Sequence, residues 1–277
     1  MKTIITHLSP DLDAITSCWL IKKYLPGWSK PEIKFVSSGS TFNDQPPDSN
    51  PEIMHVDTGY GKFDHHHLSE KISASGIIFN FLKQKKLPNK KDQLALERLI
   101  ELVTFIDNFG ECQLPDPAND FYDLGIHQVV EGFKNISFDN LQVVQFGFSL
   151  VEAVFVVIKK KIKAEKEIEN GFVFNSHWGK SLALETKNDE SVHLAQKLGY
   201  ALVIRKDPEK GWVRIKLRPD CKTGLEDIFR KVSAIDPKAD WFFHASKRML
   251  LNGSGKNPNV TPSRLSLKKI IELVKQI

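Results

Sequence analysis

At 277 residues, the chain has room for one large domain or two smaller ones of about 150 residues each. Its 41% hydrophobic and 26% charged residues are ordinary globular composition, which excludes a disordered, collagen-like or coiled-coil chain. The net charge of +5 is uneven: residues 1–138 carry −4, residues 139–170 balance at zero, and residues 171–277 carry +9. An acidic front and a basic back therefore need separate explanations.

In chain order, Lys2–Thr6 reads as a buried strand, being a run of β-branched residues. Ala14–Tyr24 has helical spacing, with Ile15, Trp19 and Leu20 on one side. Glu32–Val36 is a second strand, Ser37–Pro51 a polar loop, and Ile53–Val56 a third strand ending at Asp57. Ala74–Lys86 and Asp92–Phe105 are predicted helices. Strands alternating with helices predict an α/β fold with a doubly wound, mostly parallel sheet, whose ligands sit at the carboxyl ends of the strands.

A long helix is predicted over Asn140–Glu169, closed by Asn170-Gly171. Its apolar part, Leu141–Ile158, contains Gln142, Gln145 and Glu152, so the expectation is a helix buried on most faces and not a membrane span. Beyond it, strands at Phe172–Phe174, Ser181–Glu185, Ala201–Arg205 and Trp212–Leu217, with helices at Glu190–Leu198 and Leu225–Val232, predict a smaller α+β domain. The expected organisation is a domain over 1–138, a linking helix over 139–170 and a basic domain over 171–277. Cys18, Cys112 and Cys221 are too scattered for a disulfide framework or a thiolate zinc site. Met1–Thr6 lacks the apolar core of a signal peptide, so the expected location is cytoplasmic.

The residues that carry chemistry lie in the first 107 positions. His7, Asp11 and Asp13 follow the first strand directly, on a loop that can turn all three towards one point. Taken alone, Asp11-Leu12-Asp13 reads equally well as a helix N-cap. Asp57 ends the third strand at the same sheet edge and is followed by Asp64-His65-His66-His67. Three successive histidines are hard to explain as packing. Asp107 follows a helix and, by itself, reads more readily as that helix's polar exit. Together, four aspartates and two or more histidines at one edge would repel one another without cations. Carboxylate and imidazole ligands without thiolates suit Mn²⁺ or Mg²⁺, and less exclusively Zn²⁺ or Fe²⁺. A carboxylate shared by two ions about 3.5–4 Å apart is the arrangement used in phosphoryl transfer.

The stretch His7–Ala14, the lone Asp57, the literal Asp64-His65-His66 and the downstream Asp107 resemble, in order and approximate spacing, the DHH phosphoesterase superfamily. Its members include single-strand exonucleases, nanoRNases and manganese-dependent inorganic pyrophosphatases. Ser73-Ala74-Ser75-Gly76-Ile77 and Ile106-Asp107-Asn108 resemble, in part, its melanocyte-proliferating-gene branch of exonuclease-like proteins. The resemblance implies two divalent ions, Mn²⁺ first and Mg²⁺ second. His7 and Asp11 would hold one, and Asp13, His65 and Asp107 the other. Asp57 would bridge them and position the attacking water. His66 would contact the scissile phosphate, and Asp64 would orient a neighbouring histidine. His55, on the strand before Asp57, is left as structural.

Many members also carry a substrate domain with a basic residue after a strand and a glycine-rich loop ending in His. The corresponding residues are Arg218 and the loop Asn252-Gly253-Ser254-Gly255-Lys256, where Lys256 replaces the usual His and Ser254 interrupts the glycines. Gly253 and Gly255 can cradle an anion through backbone N–H groups, and Lys256, Lys247 and Arg248 can add charge. Trp212 and Trp241 suit a base-bearing ligand, with core packing as the competing explanation.

The resulting expectation is a two-metal phosphoesterase cleaving a short single-stranded oligonucleotide or a small phosphorylated nucleotide, with no membrane and no long duplex as partner. Inorganic pyrophosphatase and a non-catalytic nucleotide or metal sensor are the alternatives.

Overall fold

The computed structural model describes residues 1–277 and has two compact units, Met1–Lys159 and Lys160–Ile277. The first unit contains β1 (Thr3–His7), α1 (Leu12–Tyr24), β2 (Glu32–Val36), β3 (Ile53–His55), α2 (Ala74–Gln84), α3 (Lys90–Asp107), α4 (Ile126–Ile136) and the start of α5 (Asn140–Glu169). The second contains the end of α5, then β4 (Phe172–Ser176), β5 (Gly179–Glu185), α6 (Glu190–Lys197), β6 (Leu202–Lys206), β7 (Val213–Leu217), α7 (Glu226–Ile235), β8 (Phe242–Phe243), β9 (Met249–Asn252) and α8 (Leu267–Lys275). Both units mix helices with sheet, the α/β class implied by the alternating sequence pattern.

The first unit is built on a three-stranded parallel sheet of order β2-β1-β3. Parallel neighbours need a crossover, and α1 supplies the one between β1 and β2. The chain then passes to the other side of β1 to form β3, so the strand order switches at β1. That switch point is where open α/β sheets bind their ligands. β1 is buried along Thr3–Thr6, and α1 is buried on every face from Leu12 to Ile21. A helix this thoroughly apolar is covered all round. Its partners include α5: Trp19 meets Phe155 edge to face, and a Cβ on Gly147 would lie 2.7 Å from the Ile15 side chain. Only glycine lets the two helices approach this closely. Across the same contact, Glu152 accepts hydrogen bonds from the Trp19 indole and the Lys23 ammonium.

The expectation that α5 would be buried on most faces does not hold. Only 33% of its most apolar 18-residue stretch is buried, although the helix is long and apolar enough to cross a membrane. Val143, Val144, Gly147, Val151, Phe155 and Ile158 form one buried stripe at helical spacing, while Val156 and Val157 are exposed. Further along, Ala164 and Ile168 pack into the second unit beside Leu182 and Val203. The division between the units therefore falls inside the helix.

The second unit has a six-stranded mixed sheet of order β4-β5-β6-β7-β9-β8, parallel only at β5–β6, where α6 makes the crossover. One face of the sheet carries Leu202, Ile204, Val213, Ile215 and Leu250 in a core with apolar residues of α7 and α8. At about 1.5–3 kcal/mol for each large aliphatic side chain, this face is the main source of the unit's stability. β8, β9 and α8 are elements the sequence reading did not assign.

Candidate metal centre

Most residues predicted to hold the metals sit at or beside the ends of regular elements, and His65 lies on the loop after β3. His7 is the last residue of β1, and Asp11 is the N-cap of α1. Asp13 lies in the first turn of α1, and Asp107 is the last residue of α3. Asp57 follows β3 in a left-handed backbone conformation, φ 56°, which aspartate tolerates better than most residues. The loop closes when the Asp57 N–H donates to the Phe63 carbonyl, returning the chain to Asp64, His65 and His66.

Asp57 stands between two clusters. Its Oδ2 lies 3.3 Å from His7 Nε2, which is also 3.9 Å from Asp11 Oδ2. Its Oδ1 lies 3.3 Å from His65 Nε2, which faces Asp107 at 3.6 Å and Asp13 at 3.9 Å. His66 Nδ1 is 3.6 Å from the same Oδ1. His7 with Asp11 and Asp57, Asp13 with His65 and Asp107, and Asp57 with His65 and His66 are each close enough to hold a metal ion. The arrangement thus brings together every residue that the sequence reading placed at the metals.

Local bonds set these side chains. The His7 Nδ1–H donates to the Leu8 carbonyl at 2.9 Å, which turns Nε2 towards Asp57. Asp11 serves both roles the sequence left open. Its Oδ1 accepts from the Ala14 N–H and caps α1, while its Oδ2 faces His7. Asp13 accepts from the Ala74 and Ser75 N–H groups, at 2.7 and 3.0 Å, at the start of α2. The Ser73-Ala74-Ser75-Gly76 stretch fixes that helix start: Ser73 Oγ takes the Gly76 N–H and lies 2.8 Å from Thr104 Oγ1 near the end of α3. Asp64 is buried and accepts from the Tyr60 N–H, the His66 N–H and the His66 ring Nδ1–H. This pins the ring with Nε2 on its far side. His55 is structural as expected, since its Nε2 accepts from the Phe42 N–H. His67 meets the Tyr60 ring edge to face.

The electrostatics are those of crowded acids. Burial disfavours ionisation of Asp57, but His65 and His7 outweigh it and hold its carboxyl down at about 2. Asp57 in turn lifts His65 to about 9 against the effect of burial. Burial also opposes charge on His7, but Asp57 and Asp11 raise it to about 9. Burial and the neighbouring carboxylates push Asp13 well above its ordinary range, and burial pushes Asp107 up to about 6. Asp57 Oδ1, His65 Nε2 and Asp107 Oδ2 are buried with no hydrogen-bond partner. Unpartnered buried polar atoms are rare because they are costly. Three of them converging among carboxylates fit a divalent cation.

The basic residues proposed from sequence lie in the second unit, and most are held by their own neighbours. Arg218 makes a paired hydrogen bond to Asp220, Lys247 pairs with Glu226, and Arg248 donates to the Thr223 carbonyl. Gly253 has φ 81°, and a Cβ there would run into the Trp212 ring, so the turn requires glycine. A Cβ on Gly255 would meet open space. Gly253 and Lys256 line a cavity of about 400 Å³ with Trp241 and Phe242. Trp212 is 8% exposed and packs as core, which leaves it no face for a stacked base.

Sequence reasoning missed Glu111 and His127, which share a cavity with Asp11, Asp13 and Asp107. Neither stands in a spacing pattern that would have marked it.

No family model matches the chain, and no curated protein does. Among solved structures, it is similar to an uncharacterized protein from Helicobacter pylori G27, at 14% identity and TM-score 0.27, covering 100% of this chain and 98% of that one. It is also similar to RecJ in complex with Mg²⁺ from Thermus thermophilus, at 10% identity and TM-score 0.29, covering 99% of this chain and 49% of that one. At such values, neither likeness bears on what this chain does.

Proposed function

We propose that the chain is a divalent-metal-dependent phosphoesterase acting on short single-stranded oligonucleotides or small phosphorylated nucleotides. One observation carries the reading: the two carboxylate oxygens of Asp57 face two different ligand clusters, as a carboxylate shared between two cations must. His7, Asp11 and Asp57 would hold one ion, and Asp13, Asp57, His65 and Asp107 the other, with Mn²⁺ favoured over Mg²⁺. Bound there, such ions supply Lewis acidity towards a phosphoryl group and lower the pKa of water.

The chain's own residues do the rest. Asp64 fixes the His66 ring so that its exposed Nε2 is available to an oxygen of the phosphate. Asp13, tied to the start of α2, and His7, tied to the Leu8 carbonyl, keep their ligand atoms in place before any ion arrives. The +9 charge of residues 171–277 suits a substrate carrying several phosphates.

The test is hydrolysis by the purified full chain with Mn²⁺ or Mg²⁺ of di- to pentanucleotides, nucleotide phosphates and inorganic pyrophosphate. Turnover of a nucleotide ester that chelation abolishes, and that Asp57→Ala lacks, is the expected result. Absence of turnover throughout, or pyrophosphate as the sole substrate, refutes the proposal.

A further inference from the structure

The cavity that reaches the metal ligands has a second part. It encloses about 320 Å³, a size that suits a small ligand, and besides Asp11, Asp13 and Asp107 it is lined by Phe109, Glu111, His127 and Gln128. None of these four belongs to a metal-holding group.

The backbone and packing around Phe109 and His127 are tightly constrained. Phe109 has a left-handed backbone, φ 53°, and a ring left 75% exposed. A strained backbone of this kind is costly, and the exposed ring returns none of that cost by burial. The next residue allows no side chain, since a Cβ on Gly110 would run into the Phe105 ring. His127 is in the first turn of α4, its ring packed over Gly125 where a Cβ would come within 2.7 Å of Cε1. Its Nε2 is 2.9 Å from Glu111 Oε2, within ion-pair distance. His127 Nδ1 is buried on the Gly125 side with no hydrogen-bond partner, whereas the paired imidazole and carboxylate both belong to residues that line the cavity.

We infer that this part of the cavity is the subsite for the nucleoside that adjoins the scissile phosphate, with Phe109 stacking on the base and the His127–Glu111 pair hydrogen-bonding to the nucleoside. The inference rests on the phosphoesterase reading and narrows it. An exposed aromatic ring accepts any base, because every base has a π-face. The carboxylate and imidazole side chains that line the cavity beside it can hydrogen-bond to a ligand with donors and acceptors. Glu111 and Glu131 line the cavity with carboxylates, which disfavours a second phosphate there and favours the uncharged end of the substrate. Inorganic pyrophosphate has no such end.

Two measurements on the full chain with Mn²⁺ test the inference. The first is the ratio of kcat/KM for a dinucleotide to that for the same molecule lacking one base, with the abasic position at either end in turn. Loss of a stacked base costs about 1–3 kcal/mol, or roughly 5- to 150-fold, so the wild type should show a preference of that size at one end. Phe109→Ala should collapse the preference towards one, and Phe109→Trp should restore it. Phe109 is exposed, so its loss leaves the fold intact. Equal ratios in wild type and Phe109→Ala overturn the inference.

The second measurement needs no turnover: calorimetric binding of adenosine 5′-monophosphate against ribose 5-phosphate. The nucleotide should bind more tightly, Phe109→Ala should erase the difference, and His127→Ala should weaken nucleotide binding roughly 2- to 13-fold. Equal affinity for the two ligands in the wild type overturns the inference even if the protein hydrolyses phosphoesters. An inactive protein that still prefers the nucleotide supports the subsite while refuting the enzyme.

Discussion

Replacing Asp57 with asparagine changes one charge and almost no volume, so it isolates what the shared carboxylate does. If two cation sites meet at Asp57, adding Mn²⁺ stabilises the folded wild-type chain by RT ln(1 + [Mn²⁺]/Kd) per site. That is about 2.7 kcal/mol when the ion is at 100 times its Kd. For folded units of this size, each kcal/mol moves Tm by roughly 2–4 °C, so the expected rise is about 5–11 °C for each occupied site. Asp57→Asn removes the only ligand common to the His7 and His65 clusters. Loss of groups that merely orient a ligand costs about 10- to 100-fold in metal affinity, and loss of a shared ligand should cost at least the upper figure. At the same ion concentration, a 100-fold weaker site yields RT ln 2, about 0.4 kcal/mol, and a Tm rise of roughly 1 °C. Asp11→Asn touches one cluster only and should retain an intermediate rise. The assay is a thermal melt of each protein with and without Mn²⁺, with NaCl matched for ionic strength to remove general screening. An Asp57→Asn protein whose melting point rises as far as that of the wild type would show that Asp57 is not shared, and the two-cluster description would fail.

Two further outcomes follow from individual side chains. Asp64→Asn weakens the bond that fixes the His66 ring, so kcat on a phosphoester substrate should fall about 10- to 100-fold while the Mn²⁺-dependent rise in Tm persists; loss of that rise would place Asp64 among the ligands instead. Asp92 in α3 accepts hydrogen bonds from Lys159, Asn89 and Tyr24, and these outweigh the burial that disfavours its charge, so its carboxyl sits below the ordinary range. A depressed carboxyl contributes stability that is present above the unfolded value near 3.9 and is lost as pH falls through the folded one. Asp92→Asn should therefore lower stability by about 0.5–1 kcal/mol at pH 7, a figure discounted because Lys159 is partly exposed, and the gap from wild type should close below about pH 4. Urea midpoints of the two proteins across that range measure it, and a gap unchanged at pH 3 would contradict the assignment.

The metal centre was legible in sequence because most of its residues sit at or beside the ends of elements, and His65 belongs to the Asp64-His65-His66 run on the loop after β3. His7 and Asp57 follow β-branched or apolar runs that can only be buried strands, and Asp107 closes a helix marked by Leu96, Leu99 and Val103. The spacing alone could not say whether Asp11 caps a helix or binds a cation, and the two oxygens of its carboxylate divide those tasks. Tertiary context hid the rest. β8 is two residues long and β9 four, too short for a period of two to show. α5 is apolar enough to look buried, but a helix laid along one side of a unit needs only one covered stripe. Glu111 and His127 are brought together by the turn after α3 and the start of α4, which no local pattern encodes.

The ligand set falls into two kinds, and the distinction bears on how the centre works. His7, Asp11 and Asp13 each already have a bond from the protein: to the Leu8 carbonyl, from the Ala14 N–H, and from the first N–H groups of α2. Those bonds are present without any ion, so these ligands stand preorganised at the ends of β1 and α1. Asp57, His65 and Asp107 instead present buried atoms that no protein group satisfies, and the crowding of like charges there raises the proton affinity of Asp13 and Asp107 as well as of His7 and His65. A cation arriving at the centre would displace the protons held there and satisfy the three unpartnered atoms. The preorganised three then set the position of the ions. Substitutions of Asp57, His65 or Asp107 should therefore weaken affinity most, and substitutions that unfasten His7, Asp11 or Asp13 from their protein partners should chiefly misplace the ions and lower kcat.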